Sequence, residues 1–175
     1  RARELDPASP LLHSLSSQTA YQARDYRTAA RHARQAIVLD RNFWASHVSL
    51  AQALAAQGDL EGALAEAGEA HRLSGSVKGL TRRGYVLGRM GRHAEARAIL
   101  NEVERLARVS FVPPYDISIV HAGLGDADGL FAALERAYAV RDVNLVFLLV
   151  DPKLDPFHDD PRFRALVERC GFGRK

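Results

Sequence analysis

Histidine and carboxylate side chains are the residues in this sequence with the clearest capacity for chemistry, since both bind metals and transfer protons. The chain contains seven histidines, and no two of them have the His-x-x-x-His spacing of a helical zinc site. Residues 158–160 read His-Asp-Asp, but Asp160 precedes a proline and therefore has the position of a helix cap. We expect neither a metal site nor a bound cofactor.

Nucleophilic catalysis is equally unsupported by the pattern of residues. Serine, histidine and aspartate all occur, but the sequence has no nucleophile-elbow motif, no phosphate-binding glycine loop and no dinucleotide fingerprint. Its single cysteine, Cys170, excludes an intrachain disulfide and a cysteine-based zinc site. We therefore expect a protein that is not an enzyme and has no catalytic residues.

Charge and hydropathy bear on nucleic acids and membranes. The formal net charge of +3 is small for 175 residues and gives little reason to expect nucleic acid. No apolar run approaches the roughly 20 residues that cross a bilayer. Aromatic residues at helical spacing belong more often to a core than to a base-stacking surface; this concerns Tyr21, Trp44, Tyr85 and Tyr115. We expect a cytoplasmic protein without a membrane span.

A repeat of about 34 residues organises the chain. Four short segments align with one another: ARDYRTAA, QGDLEGAL, MGRHAEAR and LGDADGLF. Their turn-closing residues, Tyr26, Leu60, His93 and Ala127, are separated by 34, 33 and 34 positions. Abundant Ala, Leu, Arg and Glu favour helices, and this period is that of helix-turn-helix repeats. Each unit is therefore predicted to be a hairpin of two amphipathic helices.

The turns and the small residues repeat with the same period. Glycines at the turns can adopt positive φ, and aspartates beside them can cap the helix that follows; these are Gly58, Gly91 and Gly125, with Asp25, Asp59 and Asp126. Columns of small residues allow helices to pack closely. The columns are Ala29, Ala63 and Ala96; Ala36, Ala70 and Ala137; and Ser17, Ala51, Gly84 and Ser118.

Together, the period, the turns and the small columns resemble the tetratricopeptide repeat (TPR) over roughly residues 10–142. This resemblance implies an all-α fold, a right-handed α-α superhelix of about four helical hairpins with a C-terminal capping helix. The end of the chain, from VPPYDISIVHAGLGD to VDPKLDPFHDDPRFRALV, looks like the C-terminal TPR array of bacterial multidomain regulatory proteins. There, an upstream winged-helix, kinase, cyclase or propeller-like domain supplies the activity.

The repeats define boundaries along the chain. Residues 1–7 are predicted to be the remnant of a preceding repeat, because Leu5 and Asp6 fall 34 positions before Leu39 and Asp40. We expect the chain to be a fragment of a larger protein. The repeats are expected at 10–41, 44–75, 77–108 and 111–142, with a capping segment at 143–175.

Within the capping segment, helices are predicted at about residues 143–150 and 161–169. Phe163, Leu166 and Val167 would lie on one face of the second helix. Three Asp-Pro pairs occur here, and each can supply a cap and a first-turn proline; they begin at Asp151, Asp155 and Asp160.

The TPR resemblance implies that the first helices line a concave groove and bind a protein or peptide segment. Helical spacing places eight residues on that face: Ser14, Gln18, Ser49, Gln52, Lys78, Arg82, Tyr85 and Arg89. Lys78 and Arg82 match the basic pair with which some TPR proteins hold a peptide carboxylate, although Ser14, Gln18 and Ser49 depart from the usual partners. An acidic or carboxylate-bearing partner is therefore expected.

Three alternatives stay open. The charged residues of the groove face could be simply solvated, as charges on exposed helices usually are. The array could serve in self-association, or as a regulatory module that docks on an upstream domain. It could also be an RNA-binding helical repeat, but the polar columns by which such repeats distinguish bases are irregular here.

Overall fold

The computed structural model describes residues 9–172. Within that range the chain is all-α and has no strand. Eight helices form four successive hairpins: α1 (Pro10–Gln22) with α2 (Tyr26–Leu39), α3 (Trp44–Gln57) with α4 (Leu60–Ser74), α5 (Val77–Arg89) with α6 (His93–Ala107), and α7 (Pro114–Leu124) with α8 (Ala127–Ala139). Two 3-10 helices, Val143–Phe147 and Pro152–Phe157, and helix α9 (Pro161–Arg169) follow. The predicted remnant at residues 1–7 lies outside the described residues.

The second helix of each hairpin begins at the residue that the repeat predicts. Tyr26, Leu60, His93 and Ala127 are the first residues of α2, α4, α6 and α8. The predicted caps are confirmed as well. Asp25, Asp59 and Asp126 each accept a hydrogen bond of 3.0 Å from the backbone N–H three residues ahead. Local sequence therefore determines where these helices start.

The turns within the hairpins contain one residue with positive φ. Gly58, Gly91 and Gly125 have φ angles of 87°, 75° and 69°, as predicted. In the first hairpin the corresponding residue is Arg24, which adopts φ 64° despite its Cβ. A left-handed conformation is unfavourable for a residue other than glycine. The surrounding structure must therefore compensate for it.

The first helices form a layer in which neighbours touch: α1 contacts α3, α3 contacts α5, and α5 contacts α7. All three predicted columns of small residues are buried. The closest approach joins α5 to α7, where a Cβ on Gly88 would lie 2.7 Å from the backbone nitrogen of Leu124. The two helices can approach this closely only because glycine has no Cβ.

After α8 the chain runs back along the layer of first helices. We call residues 143–157 the strap. The helix predicted over 143–150 forms in part, as a 3-10 helix that ends at Phe147, and Asp151 is already extended ahead of Pro152. The three-residue period of a 3-10 turn places Leu145 and Leu148 on one face, and both are buried. The strap therefore packs through one leucine in each of two successive 3-10 turns.

Helix α9 behaves as predicted for a cap. Asp160 accepts a hydrogen bond of 2.8 Å from the backbone N–H of Arg162, and Phe163 and Leu166 are buried. The helix packs on α8, and Arg169 forms an ion pair of 2.8 Å with Glu135 there. Across residues 9–172, the helices are all too short or too polar to span a bilayer.

Candidate functional site

The first helices and the strap enclose a partly open cavity of about 150 Å³, which we call the central cavity. Its walls come from α1, α3, α5, α7 and the strap. The lining combines aromatic, uncharged polar and charged side chains. The aromatic residues are Tyr21, Trp44, Tyr115 and Phe147; the amides and hydroxyls belong to Gln18, Gln22, Ser49, Gln52 and Asn144; the charged residues are Lys78, Arg82 and Asp151.

Five of the eight residues predicted for the groove line this cavity: Gln18, Ser49, Gln52, Lys78 and Arg82. They come from three helices whose equivalent turns face one another, because the repeat brings the same helical position to the same side of the layer. Ser49 donates its hydroxyl to the carbonyl of Ala45 in its own helix at 3.0 Å. The structure thus gathers most of the predicted face around one enclosed volume.

Ser14, Tyr85 and Arg89, the other three residues predicted for the groove, do not line the cavity. Ser14 is buried, and its hydroxyl lies 2.9 Å from that of Ser46 in α3. Tyr85 is also buried, and its hydroxyl accepts a hydrogen bond of 2.9 Å from the exposed Arg89. The serine joins two first helices, and the Tyr85–Arg89 pair lies within α5.

Arg82 was expected to be an available groove cation, but only 5% of its surface is exposed. Its guanidinium lies 3.2 Å from the carboxylate of Asp116 in α7, which is also buried. Its Nε donates to Gln52 Oε1 at 3.3 Å. The predicted basic pair is therefore divided, because Arg82 already has a carboxylate partner within the chain.

The strap brings a second buried ion pair to the same place. Lys153 Nζ lies 2.7 Å from Asp151 Oδ1, and both side chains are almost completely buried. Lys153 also donates to the Tyr21 hydroxyl at 3.1 Å and to Gln52 Oε1 at 2.9 Å. The Tyr115 hydroxyl donates to Asp151 Oδ2 at 3.0 Å. Residues from the first, second and fourth hairpins thus meet on one short stretch of the strap.

Burial perturbs the titration of this cluster. It lowers the pKa of Lys153 from 10.5 to about 8, even though the Asp151 carboxylate acts in the opposite direction. Burial alone would raise the pKa of Asp151, but Lys153 and Arg82 outweigh it and hold that pKa below its usual 3.8. For Tyr21 and Tyr115, burial and then the Asp151 charge raise the pKa well above 10. At neutral pH the cluster therefore contains charged Lys153 and Asp151 and neutral tyrosines.

Lys78 differs from the two buried cations in its pairing. The buried cations Arg82 and Lys153 balance the buried anions Asp116 and Asp151. Lys78 lines the cavity and is half-buried, and its ammonium has no hydrogen bond or ion pair with the residues 9–172 that the structure describes. The cavity therefore has one uncompensated positive charge.

The strap, and Arg24 as the residue that holds it, were not predicted from the sequence. Arg24 donates to the carbonyl of Val150 at 2.7 Å and forms an ion pair of 2.6 Å with Asp155. Asp155 was predicted to cap a helix, but it lies inside the second 3-10 helix and pairs with Arg24 instead. The available signal was Arg24 itself, an arginine at the turn position where the other three hairpins have glycine.

The histidine and carboxylate side chains form no metal-binding group of three or more anywhere in the described part of the chain. In the 158–160 stretch, the His158 ring packs on Phe163 with centroids 4.5 Å apart, and Asp160 caps α9. No protein-family model matches the sequence, and no curated protein matches it.

Proposed function

We propose that this chain is a TPR-type superhelical array that serves as a protein-protein interaction scaffold within a larger bacterial regulatory protein. Four hairpins with a period of about 34 residues, a contiguous layer of first helices and buried small columns support this reading. As a scaffold it would have no catalytic role of its own and would act in the cytoplasm.

The observation that carries the proposal is the uncompensated charge of Lys78 at the central cavity. A carboxylate of the partner would complement it, whereas the buried Arg82 is already paired with Asp116. Because the strap crosses the layer at Asp151 and Lys153, we propose that an acidic side chain or a chain end enters the cavity and the rest of the partner lies outside. This refines the expectation of a segment lying along the whole groove.

The affinity of such a contact cannot come mainly from charge. A micromolar complex corresponds to about −8 kcal/mol, and a solvent-accessible ion pair contributes only about 0.2 to 1 kcal/mol. Apolar contacts must supply the remainder. Trp44 and Phe147 at the cavity, both partly exposed, are the residues placed to provide it.

A titration of labelled acidic peptides against wild type and Lys78→Ala tests the proposal. Arg83→Ala is the matched control, because Arg83 is an exposed cation on the same helix that does not line the cavity. We expect Lys78→Ala to weaken binding about two- to fivefold and Arg83→Ala to leave it unchanged. Arg82 is unsuitable for this test, because its removal would leave Asp116 buried without a cation.

Equal affinity of all three proteins for every acidic peptide would contradict the proposed site. Binding that falls equally in both variants would indicate attraction by overall charge rather than by the cavity. Repeating the titration at higher salt separates the two, since screening acts more strongly on exposed charges than on partly enclosed ones.

Self-association, or docking on an upstream domain, is the second candidate. It is favoured by exposed apolar side chains on the first hairpin: Leu11 is 53% exposed and Val38 is 83% exposed. Such side chains, when contiguous, mark interaction surfaces. Light scattering over a range of protein concentrations tests this alternative, and a monomer at every concentration would exclude self-association of this chain.

A further inference from the structure

We infer that the central cavity is a binding site for a small aromatic carboxylate, a monoanion with about the dimensions of benzoate. The inference uses the same cavity as the proposed function. It does not depend on the chain being a protein-binding scaffold, and the experiment below separates the two.

The size of the cavity limits the ligand. Its volume of about 150 Å³ matches a cavity known to accept a benzene ring. The strap also bridges the layer, since Lys153 contacts Tyr21 and Asp151 contacts Tyr115. A ligand of one ring and one small polar group therefore fits without displacing the strap.

The walls favour an aromatic ring. The cavity is lined by the aromatic residues Tyr21, Trp44 and Phe147. Val48, which is only 6% exposed, adds an aliphatic surface. Aromatic side chains around a small volume offer favourable edge-to-face and offset contacts to a ring. Small-molecule sites typically combine such apolar walls with a few convergent polar groups.

The uncommitted polar groups favour an anion. The ammonium of Lys78, the indole N–H of Trp44 and the amide of Gln18 have no side-chain hydrogen bond to any residue between 9 and 172. Lys and Trp side chains are donors only, so a ligand that satisfies them must be an acceptor. The buried pairs Arg82–Asp116 and Lys153–Asp151 are each neutral overall. Only the positive charge of Lys78 therefore remains to attract one negative charge on the ligand.

The charged residues also orient the ligand. Asp151 lines the cavity from the strap, where a second carboxylate would be repelled. Lys78 lies in the first turn of α5, where the positive end of the helix dipole adds to its charge. The carboxylate would therefore face α5 and the ring would face Phe147 of the strap.

Trp44, the single tryptophan of the sequence, provides a direct readout because it lines the cavity. Benzoate is titrated into the full chain while tryptophan emission is followed, with benzamide as the neutral analogue of the same shape. We expect a saturable change with a dissociation constant on the order of 1 mM, as suits a ligand of so few atoms. Benzamide should bind about two- to fivefold more weakly.

Two charge-removing variants on α5 locate the site. Lys78→Gln should abolish the preference for benzoate over benzamide, whereas Arg83→Gln should retain it. Circular dichroism and thermal unfolding of both variants check that the fold is intact; Lys78 is half-exposed and its truncation leaves no buried charge.

An unsaturable response to benzoate, equal binding of benzamide, or an unchanged preference in Lys78→Gln would each overturn the inference. Acidic peptides titrated in parallel separate it from the scaffold proposal. Peptide binding without benzoate binding would overturn the small-ligand site alone. Benzoate binding without any peptide binding would support it and count against the scaffold.

Discussion

Helix α5 has two different interfaces within the layer of first helices. On one side its backbone meets α7 so closely that Gly88 and Gly123 leave no room for a Cβ, and Arg82 is matched by Asp116. On the other side, toward α1 and α3, longer polar side chains line the central cavity, and Lys78 has no carboxylate partner among residues 9–172. The two cations are only one helical turn apart. The distances between neighbouring helices therefore decide which of the two cations is paired within the fold and which can still bind a ligand.

Removing each cation in turn should give the largest contrast. Arg82→Met should lower the free energy of unfolding by about 3 to 5 kcal/mol, because Asp116 would remain buried without a partner. Lys78→Met should change it by no more than about 0.5 kcal/mol. Urea denaturation measures both values. The double variant Arg82→Met/Asp116→Leu should recover most of the loss, and similar costs for Arg82→Met and Lys78→Met would refute the distinction.

The backbone approach itself can be tested with glycine substitutions. Gly88→Ala should destabilise the protein by about 1 to 3 kcal/mol, because the added methyl group would overlap the backbone of α7. Gly68→Ala is the control within α4, where a Cβ would have nothing within 4 Å. It should stabilise by about 0.5 to 1 kcal/mol through helix propensity. If both substitutions shift the denaturation midpoint in the same direction, the tight contact is not the cause.

The strap cluster predicts a pH dependence. With a pKa of about 8 in the fold against 10.5 unfolded, Lys153 releases its proton from the native state first. The unfolded state then binds more protons at this residue, so the contribution of Lys153 to stability should rise with pH between about 8 and 10.5. From pH 7.5 to 9 the gain should be about 1 kcal/mol. The variant Lys153→Met/Asp151→Asn should lack this increase in stability. An identical pH profile in the variant would show that other groups cause the increase.

The smallest predicted effect concerns the anchor of the strap. Arg24→Gly relieves a positive φ but removes the bonds to Val150 and Asp155, so global stability should change by less than about 1 kcal/mol. Amide exchange in the strap should nevertheless accelerate roughly fivefold. Arg141→Gly is the control, since Arg141 also has positive φ, at 55°, and its side chain makes no hydrogen bond or ion pair with the described residues. It should stabilise without changing strap exchange.

The sequence predicted those features that depend on neighbouring residues. The aspartate caps and the glycine turns require only a few adjacent positions, so their signals were local and the helix starts were correct. The buried small columns followed from the period, because each repeat places the same residue at the same contact.

Whether an individual charged residue is paired within the fold could not be predicted in the same way. Lys78 and Arg82 have the same spacing on the same helix, and only the distance from α5 to α7 and to α3 distinguishes them. The strap was missed for a related reason: Asp151 and Asp155 fit a local capping pattern, whereas their partners Tyr115 and Arg24 lie far away in the sequence.

The strap changes how the array should fold. In an open helical repeat each unit contacts only its neighbours, so the ends fray and stability adds along the chain. Here Lys153 bonds to Tyr21 across 132 positions and Arg24 bonds to Val150 across 126. These contacts connect the strap to the first hairpin and so join the two ends of the array. The protein should therefore unfold in a single cooperative transition, and its folding should be slower than that of an open array of equal length.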